Sequence, residues 1–513
     1  MKGKSLMIQG TGSSVGKSII TAGLLRIFKQ DGHDVAPFKS QNMALNSFIT
    51  KEGKEMGRAQ VVQAEAAGKE PSVTMNPILL KPTTDRKAQV ILNGQVYKNM
   101  SAAEYHEFKP QLAEMVKETF MGLSSKNDIV VIEGAGSPAE INLRENDIVN
   151  MGMAQIARSP VILVGDIDKG GVFASLAGTM LLLTEEEKAR VKGVIINKFR
   201  GDLEILKPGL DMLYDIIKVP VLGVVPYTKL NIEDEDSLAE RFQKEKGANI
   251  SEIDIVIIKV PHMSNFTDFN PLENLQGVKV RYVDTSHEIG QPDLIVLPGT
   301  KNTIEDMLYL KKSGMEEVIK NLYKKGVVIF GVCGGYQMLG QNIEDPYKTE
   351  SELLGICGMS LLNSSTVFGQ KKITTQVEGV VSSNTELLHD LDNTKIIGYE
   401  IHMGTTEYKE GCIPFIELNK AAGSAAKFVG GVMNREGSVF GTYIHGIFDN
   451  MEFTIGFVNN IRKRKGLTKL HYDKSMEFNQ YKEMQYDKLA EILRSSLDIE
   501  KIYEIINLGT CNK

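Results

Sequence analysis

Tryptophan is absent from this 513-residue chain, and cysteine occurs only at Cys333, Cys357, Cys412 and Cys511. No two of these have C-x-x-C spacing, which excludes a zinc knuckle or a dithiol redox pair. Cysteines this sparse cannot make a disulfide framework, and their usage fits a reducing cytoplasm. Long hydrophobic runs are missing too. No uninterrupted apolar stretch reaches the roughly 18 residues that a membrane helix needs. The opening MKGKSLMIQGTGSS turns polar after a short apolar run, unlike a signal peptide. Basic blocks are scarce beyond Arg462–Lys465 and the formal net charge is −6, which argues against a nucleic-acid partner. An anionic substrate remains compatible, provided that positive charge is concentrated locally.

What is present is ordinary for a globular protein: 42% hydrophobic and 24% charged residues. The length exceeds what one hydrophobic core supports, so two domains are expected. Apolar runs read as strands at Ser5–Gln9, Asp34–Phe38, Ile129–Ile132, Val161–Val164, Val191–Ile196 and Val219–Val225. Helical patterns lie between several of them, such as Gly16–Gln30 with Ile19, Ile20, Leu24, Leu25 and Phe28. Continuous apolar strands alternating with helices predict a parallel α/β sheet covered on both faces. The polar segment Tyr227–Glu252 interrupts this rhythm. A second series follows at Ile253–Val260, Val278–Val283, Leu294–Leu297 and Val327–Val332, with further strands at Lys372–Val381, Ile396–Ile401 and Ser438–Ile444. The stretch from about Glu452 reads as mainly helical.

The first strand runs into Gly10-Thr11-Gly12-Ser13-Ser14-Val15-Gly16-Lys17-Ser18 and then a helix. Glycines let consecutive backbone N–H groups face an anion, and the helix N-terminus adds its dipole. Lys17 suits terminal phosphates and the Ser18 hydroxyl suits Mg²⁺. The spacing is one residue longer than the common G-x-x-x-x-G-K-[ST]. Asp128–Glu133 is an apolar strand ending in a carboxylate, and Glu133 there suits a Mg²⁺ ligand or an organiser of metal-bound water. Asn197, at the end of another strand, reads equally as a contact to the nucleotide base or as a turn cap.

Gly331-Val-Cys333-Gly-Gly335 joins a strand to a helix and has the form of a nucleophile elbow. The helix N-terminus lowers the thiol pKa, the Gly334 N–H is an oxyanion donor, and Gly299 in Pro298-Gly299-Thr300 offers a second. A thiol of this kind needs a base. His445, ending Val439–His445, is favoured over its rival His402 in Gly398–Gly404.

The G-T-x-S-x-x-G-K-S loop resembles the dethiobiotin synthetase-like ATPases. The elbow G-x-C-G-G-Y-Q-x-L-G with a later G-x-Y-x-H-G resembles class I glutamine amidotransferases. Together with Pro37–Ser47, Val131–Leu143, Asp166–Ser175, Ile196–Asp202, Ser264–Asp268 and Gly398–His402, the chain resembles the adenosylcobyric acid synthase (glutamine-hydrolysing) family of cobalamin biosynthesis, over nearly all residues to about 460. The resemblance implies a P-loop parallel-sheet ATPase domain over 1–228, a linker over 229–251, a flavodoxin-like doubly wound amidotransferase domain over 252–455 and a helical extension over 456–513. It also implies ATP and L-glutamine as co-substrates, Mg²⁺, His445 as the base and Asn197 near the nucleotide base. The substrate would be a corrinoid, adenosylcobyrinic acid a,c-diamide, amidated at its b, d, e and g carboxylates. Lys39, Asn42, Asn46, Lys169, Lys198 and Arg200 are its candidate contacts. No nucleic acid or membrane partner is expected, and homo-oligomerisation is left open.

Two departures stand out. Class I amidotransferases carry a Glu two residues after the histidine, whereas here Gly446 and Ile447 follow and Asp449 lies four on. The pattern resembles a Cys–His pair rather than a full triad. The a,c-diamide synthases carry an aspartate where this chain has Ser40-Gln41-Asn42-Met43, which separates the two activities but leaves the second protein ligand to Mg²⁺ open. The alternatives are an a,c-diamide synthase of the same architecture and a P-loop partitioning or regulatory ATPase.

Overall fold

A computed structural model describes residues 3–84, 87–232, 252–419, 428–471 and 478–508. It divides into two compact units, one of 1–44, 56–241 and 479–513, the other of 45–55 and 242–478. Of the expected linker 229–251, residues 233–251 lie outside the described residues.

The first unit is built on six parallel strands, in the order Val221–Pro226, Val191–Phe199, Val161–Asp166, Lys4–Gly10, Ile129–Glu133 and Val35–Phe38. Side chains alternate across the sheet, so Leu6 and Ile8 join one apolar core while Met7 joins the other. Both faces are covered by helices, which is why the middles of these strands are apolar, as in Leu6–Ile8, Ile129–Ile132 and Val194–Ile196. Chain order reverses around Lys4–Gly10, so the loop that follows it opens at a switch point, where ligands of such sheets bind. A separate four-stranded sheet of Gln41–Met43, Ile78–Thr84, Lys87–Leu92 and Gln95–Ser101 was not expected from the sequence. Its last hairpin turns at Asn93-Gly94, both with positive φ (47° and 77°), the Asn-Gly signature of a tight two-residue turn.

The contiguous division expected from the sequence differs from the observed one at two places. The 456–513 extension is not one piece. Met451–Arg464 stays with the second unit, whereas Phe478–Ser496 and Ile499–Leu508 pack in the first. The cause is apolar burial: Leu489, Ala490, Leu493, Leu497, Ile502, Ile505 and Ile506 share a core with Leu24, Leu25 and Phe28. Arg26 fastens the contact through Glu483 and Asp487, each at 2.7 Å. The second difference is the arm 45–55, which leaves the first unit's sequence and belongs to the second unit.

The second unit holds an eleven-stranded sheet. Val278–Val283, Ile253–Ile258, Leu294–Leu297, Val328–Val332 and Val439–Thr442 are parallel, as the alternating pattern predicts. Antiparallel strands continue it: Phe428–Asn434, Cys412–Asn419 and Ser364–Val381, with Lys395–Tyr408 paired to the last. Its core is rich in phenylalanine, with Phe330 packed against Phe415, Phe440, Phe448 and Phe457 at ring-centroid distances of 5.1 to 6.3 Å.

Candidate active sites

In the first unit the loop after Lys4–Gly10 curls tightly. Ser14 and Gly16 take positive φ (58° and 97°), and a Cβ on Gly16 would lie 2.0 Å from the Asn197 amide nitrogen. Only glycine fits there. Gly10 is equally constrained, since its Cβ would meet Val15 at 2.5 Å. Thr11 N–H donates to the Val164 carbonyl (3.0 Å), and Ser13 is exposed at the bend. The Lys17 ammonium donates to the carbonyls of Gly12 (2.8 Å) and Gly136 (3.2 Å). Asn197 Nδ2 donates to the Val15 carbonyl at 2.9 Å, so this side chain braces the loop. The same loop borders a cavity of about 150 Å³ lined by Lys17, Ser18, Asn197, Tyr227, Leu489 and Leu493, among others.

Glu133 is buried and joins three donors. Its Oε1 accepts from Ser18 Oγ (2.8 Å) and Lys39 Nζ (3.0 Å), and its Oε2 accepts from Gln63 Nε2. Burial alone would raise the Glu133 pKa, but Lys39, the Gln63 hydrogen bond and the Lys17 charge hold it below the ordinary carboxylate range. The donor set fits Mg²⁺: a hydroxyl and an ionised carboxylate share one spot at the phosphate loop, and Mg²⁺ takes few protein oxygens when phosphates and water complete its shell.

The structure places the candidate corrinoid contacts unevenly. Lys39 is buried against Glu133, and Asn42 is buried with Nδ2 donating to Gln60 (2.9 Å). Lys198, at φ 61°, reaches the Ser14 carbonyl (2.8 Å) and Asp166 (3.2 Å). Arg200 pairs with Asp168 (2.8 Å) and lies 3.4 Å above the Tyr227 ring. Lys169 is exposed. Asn46 lies in the arm, in the second unit.

In the second unit Cys333 caps the helix Gly334–Leu339 with φ 51°, a strained left-handed conformation for a side chain that must project from a sharp turn. Small neighbours are compulsory. A Cβ on Gly335 would sit 2.0 Å from the Leu297 carbonyl, one on Gly334 2.4 Å from Thr300, and one on Gly299 3.1 Å from His445. Gly334 and Gly299 thus border the thiol and the imidazole. The Cys333 thiol lies within electrostatic reach of His445 and directs Sγ toward the Ile401 carbonyl (3.6 Å), whereas His402 directs Nδ1 to the Gly404 carbonyl (2.6 Å) and stacks on Tyr443 (3.7 Å).

A third member is present, contrary to the pair that the residues after His445 suggest. Asp268 Oδ2 accepts from His445 Nδ1 at 2.7 Å, and its Oδ1 accepts from Gly446 N–H at 3.1 Å. The acid arrives from 177 positions upstream, so no reading of the residues after His445 finds it. Asp449 instead lies near Gly446. The available signal was the Asp268 carboxylate between the two phenylalanines of Phe266–Phe269. Burial alone would lower the His445 pKa. The facing Asp268 carboxylate and Cys333 outweigh it and raise the imidazole to about 10. Thiol, imidazole and carboxylate are all buried, in the order that nucleophilic acyl transfer requires.

Both regions of the chain match known protein families. Residues 6–238 match the CobQ/CobB/MinD/ParA nucleotide binding domain, and residues 254–453 the CobB/CobQ-like glutamine amidotransferase domain. The chain is 56% identical to a cobyric acid synthase of Thermoanaerobacter sp. (strain X514), covering 98% of both chains. It is 57% identical to a cobyric acid synthase of Clostridium botulinum (strain 657 / Type Ba4), covering 98% of this chain and 99% of that one.

Proposed function

The chain belongs to the cobyric acid synthase family, an ATP- and glutamine-dependent amide-forming enzyme of cobalamin biosynthesis, and on that premise we propose which carboxylates it amidates and which residues do the work. The observation that carries the reading is the buried Cys333–His445–Asp268 row in a chain that also holds the Lys17–Ser18–Glu133 phosphate site.

Cys333 attacks the side-chain amide of glutamine. His445, protonated beside Asp268 at neutral pH, delivers its proton to the departing ammonia as the thiolate attacks, Asp268 keeps the imidazole oriented, and Gly334 and Gly299 N–H groups receive the oxyanion. Water then cleaves the thioester, releasing glutamate. In the nucleotide unit a corrinoid carboxylate attacks the γ-phosphate of ATP, forming an acyl phosphate and ADP. Ammonia displaces phosphate, leaving the amide. Thr11, Gly12, Ser13 and Gly16 supply loop amides, Lys17 turns from the Gly12 and Gly136 carbonyls to the phosphates, and Asn197 lies near the base. Ser18 and Glu133 would hold Mg²⁺, which neutralises phosphate charge when bound. Lys39 sets the charge of Glu133, and Asn42, Lys169, Lys198 and Arg200 are corrinoid contacts.

The substrate is adenosylcobyrinic acid a,c-diamide and the product carries four new amides, at b, d, e and g. Mass analysis of the product decides this: two added amides, at a and c, would establish the a,c-diamide synthase instead. Among the described residues no helix is long and apolar enough to cross a membrane. The sparse cysteines favour a cytoplasmic enzyme, and the net charge of −6 disfavours nucleic acid.

A further inference from the structure

The arm 45–55 belongs to the second unit although its chain neighbours on both sides, Ala44 and Met56, belong to the first. Some of its contacts fall on the segment that carries Asp268 and on Tyr399, the neighbour of His445. Asn46 Oδ1 accepts from Phe266 N–H (3.2 Å), and Ser47 N–H donates to Asn265 Oδ1 (3.1 Å). Asn265 Nδ2 donates to the Tyr399 hydroxyl (3.2 Å), which donates to the Ser47 carbonyl (3.0 Å). The bonds therefore close through Ser47, Asn265 and Tyr399, all buried, where water competes little.

Each member reaches the catalytic row. Asn265 is held at φ 52°, and its carbonyl accepts from Asp268 N–H (3.0 Å). Tyr399 exchanges both backbone hydrogen bonds with His445 (3.1 and 2.9 Å), and the two rings stack at 5.4 Å. The arm is itself anchored: Lys372 pairs with Glu55 (2.6 Å), Thr374 donates to the Gly53 carbonyl (2.7 Å), and Gln376 donates to the Ile49 carbonyl.

We propose that the arm 45–55 is the positioning element of the glutamine-cleaving site, with Asn46 serving Asp268 and His445 rather than the corrinoid. This rests on Cys333 and His445 being the glutaminase pair. Asn46 and Ser47 touch no reacting atom. They fix the backbone of Asn265–Asp268 and the ring of Tyr399, and so the separation of acid from base.

The test measures amide formation by the full-length enzyme with glutamine and, separately, with ammonium salt. Asn46→Ala lowers the kcat with glutamine about tenfold, the loss expected for one buried hydrogen bond, and lowers the glutamine-to-ammonia activity ratio by a similar factor. Asn46→Asp, which keeps the acceptor oxygen, restores much of that ratio. Tyr399→Phe, which removes one hydroxyl and keeps the ring, lowers the ratio severalfold. It decides the matter should Asn46→Ala fail to fold. An equal loss with both nitrogen sources, together with a higher KM for the corrinoid, would make Asn46 a substrate contact and overturn the proposal. An unchanged ratio in both variants would overturn it too. Cys333→Ala is the control: if glutamine still supports turnover in that variant, the underlying assignment fails rather than the role of the arm.

Discussion

The glutaminase site and the phosphate site satisfy their polar groups in opposite ways. His445 bonds Asp268, the Cys333 thiol lies within electrostatic reach of the imidazole, and all three are buried. Lys17 instead spends its donors on the carbonyls of Gly12 and Gly136, within its own loop and its neighbour. Those bonds are the ones an incoming phosphate replaces. The difference follows from the chemistry. Covalent attack needs a fixed angle between nucleophile and base, so its parts are locked together. Phosphoryl transfer needs positive charge concentrated at the loop, and Lys17 rests on two carbonyls while its charge also acts on Glu133. Only Glu133 breaks the pattern, since Lys39 and Ser18 already hold it as a carboxylate.

The sharpest way to break this comparison is Cys333→Ala. It should lower glutamine-dependent amidation by about 10⁴-fold or more while ammonium salts still support turnover. Persistence of glutamine-dependent product would remove the thiol from the mechanism. Asp268→Asn comes next. It keeps the shape but loses the charge that orients the imidazole, and should cost about 10²–10⁴ in glutamine hydrolysis only. A loss of ammonia-dependent activity of the same size would show that Asp268 acts on the fold rather than on His445.

Lys17→Ala should reduce amidation with both nitrogen sources, by about 10²–10³, since removing one preorganised donor from developing charge typically costs this much. A loss confined to glutamine would contradict the separation of the two sites. The smallest effect concerns pH. His445 is raised to about 10 in the folded state, so its contribution to stability is complete below its unfolded value near 6.5 and is lost as pH rises toward 10. Glu133 is lowered, so its contribution is present above the ordinary carboxylate value and is lost on acidification. Asp268→Asn should flatten the alkaline limb of a stability–pH curve and Glu133→Gln the acid limb. Limbs that respond to the opposite substitution would reverse the assignment.

Much of the scaffold was legible in the primary structure because its signals are local. A strand buried on both faces is a continuous apolar run, and Val161–Asp166 and Leu294–Leu297 were found that way. The elbow and the phosphate loop were legible because steric demand writes glycine into the chain at Gly16, Gly334 and Gly335. The small sheet around Gln41–Met43 went unread although Asn93-Gly94 marked its hairpin, because its strands are short and partly polar. In the antiparallel part of the second sheet, Lys372–Val381 and Ile396–Ile401 read as strands but Cys412–Asn419 and Phe428–Asn434 do not, and pairing direction leaves no trace in the apolar pattern of a single strand.

Asn46 shows how composition misleads. Read as a corrinoid contact from the sequence, it accepts a hydrogen bond from the backbone of Phe266, 220 positions away, and the role proposed for it above follows from that bond. Residue types and short spacings by themselves marked a thiol at a strand-to-helix turn, a glycine-rich loop before a helix, and α/β layers, because turns, strands and helix caps depend on neighbours in sequence. Tertiary structure alone decided that Asp268 completes the row, that the last helices return to the first unit, and that the arm 45–55 lies behind His445 and Asp268. Each of these is a contact whose free energy comes from burial between segments remote in the chain, and no local pattern records which segments will meet.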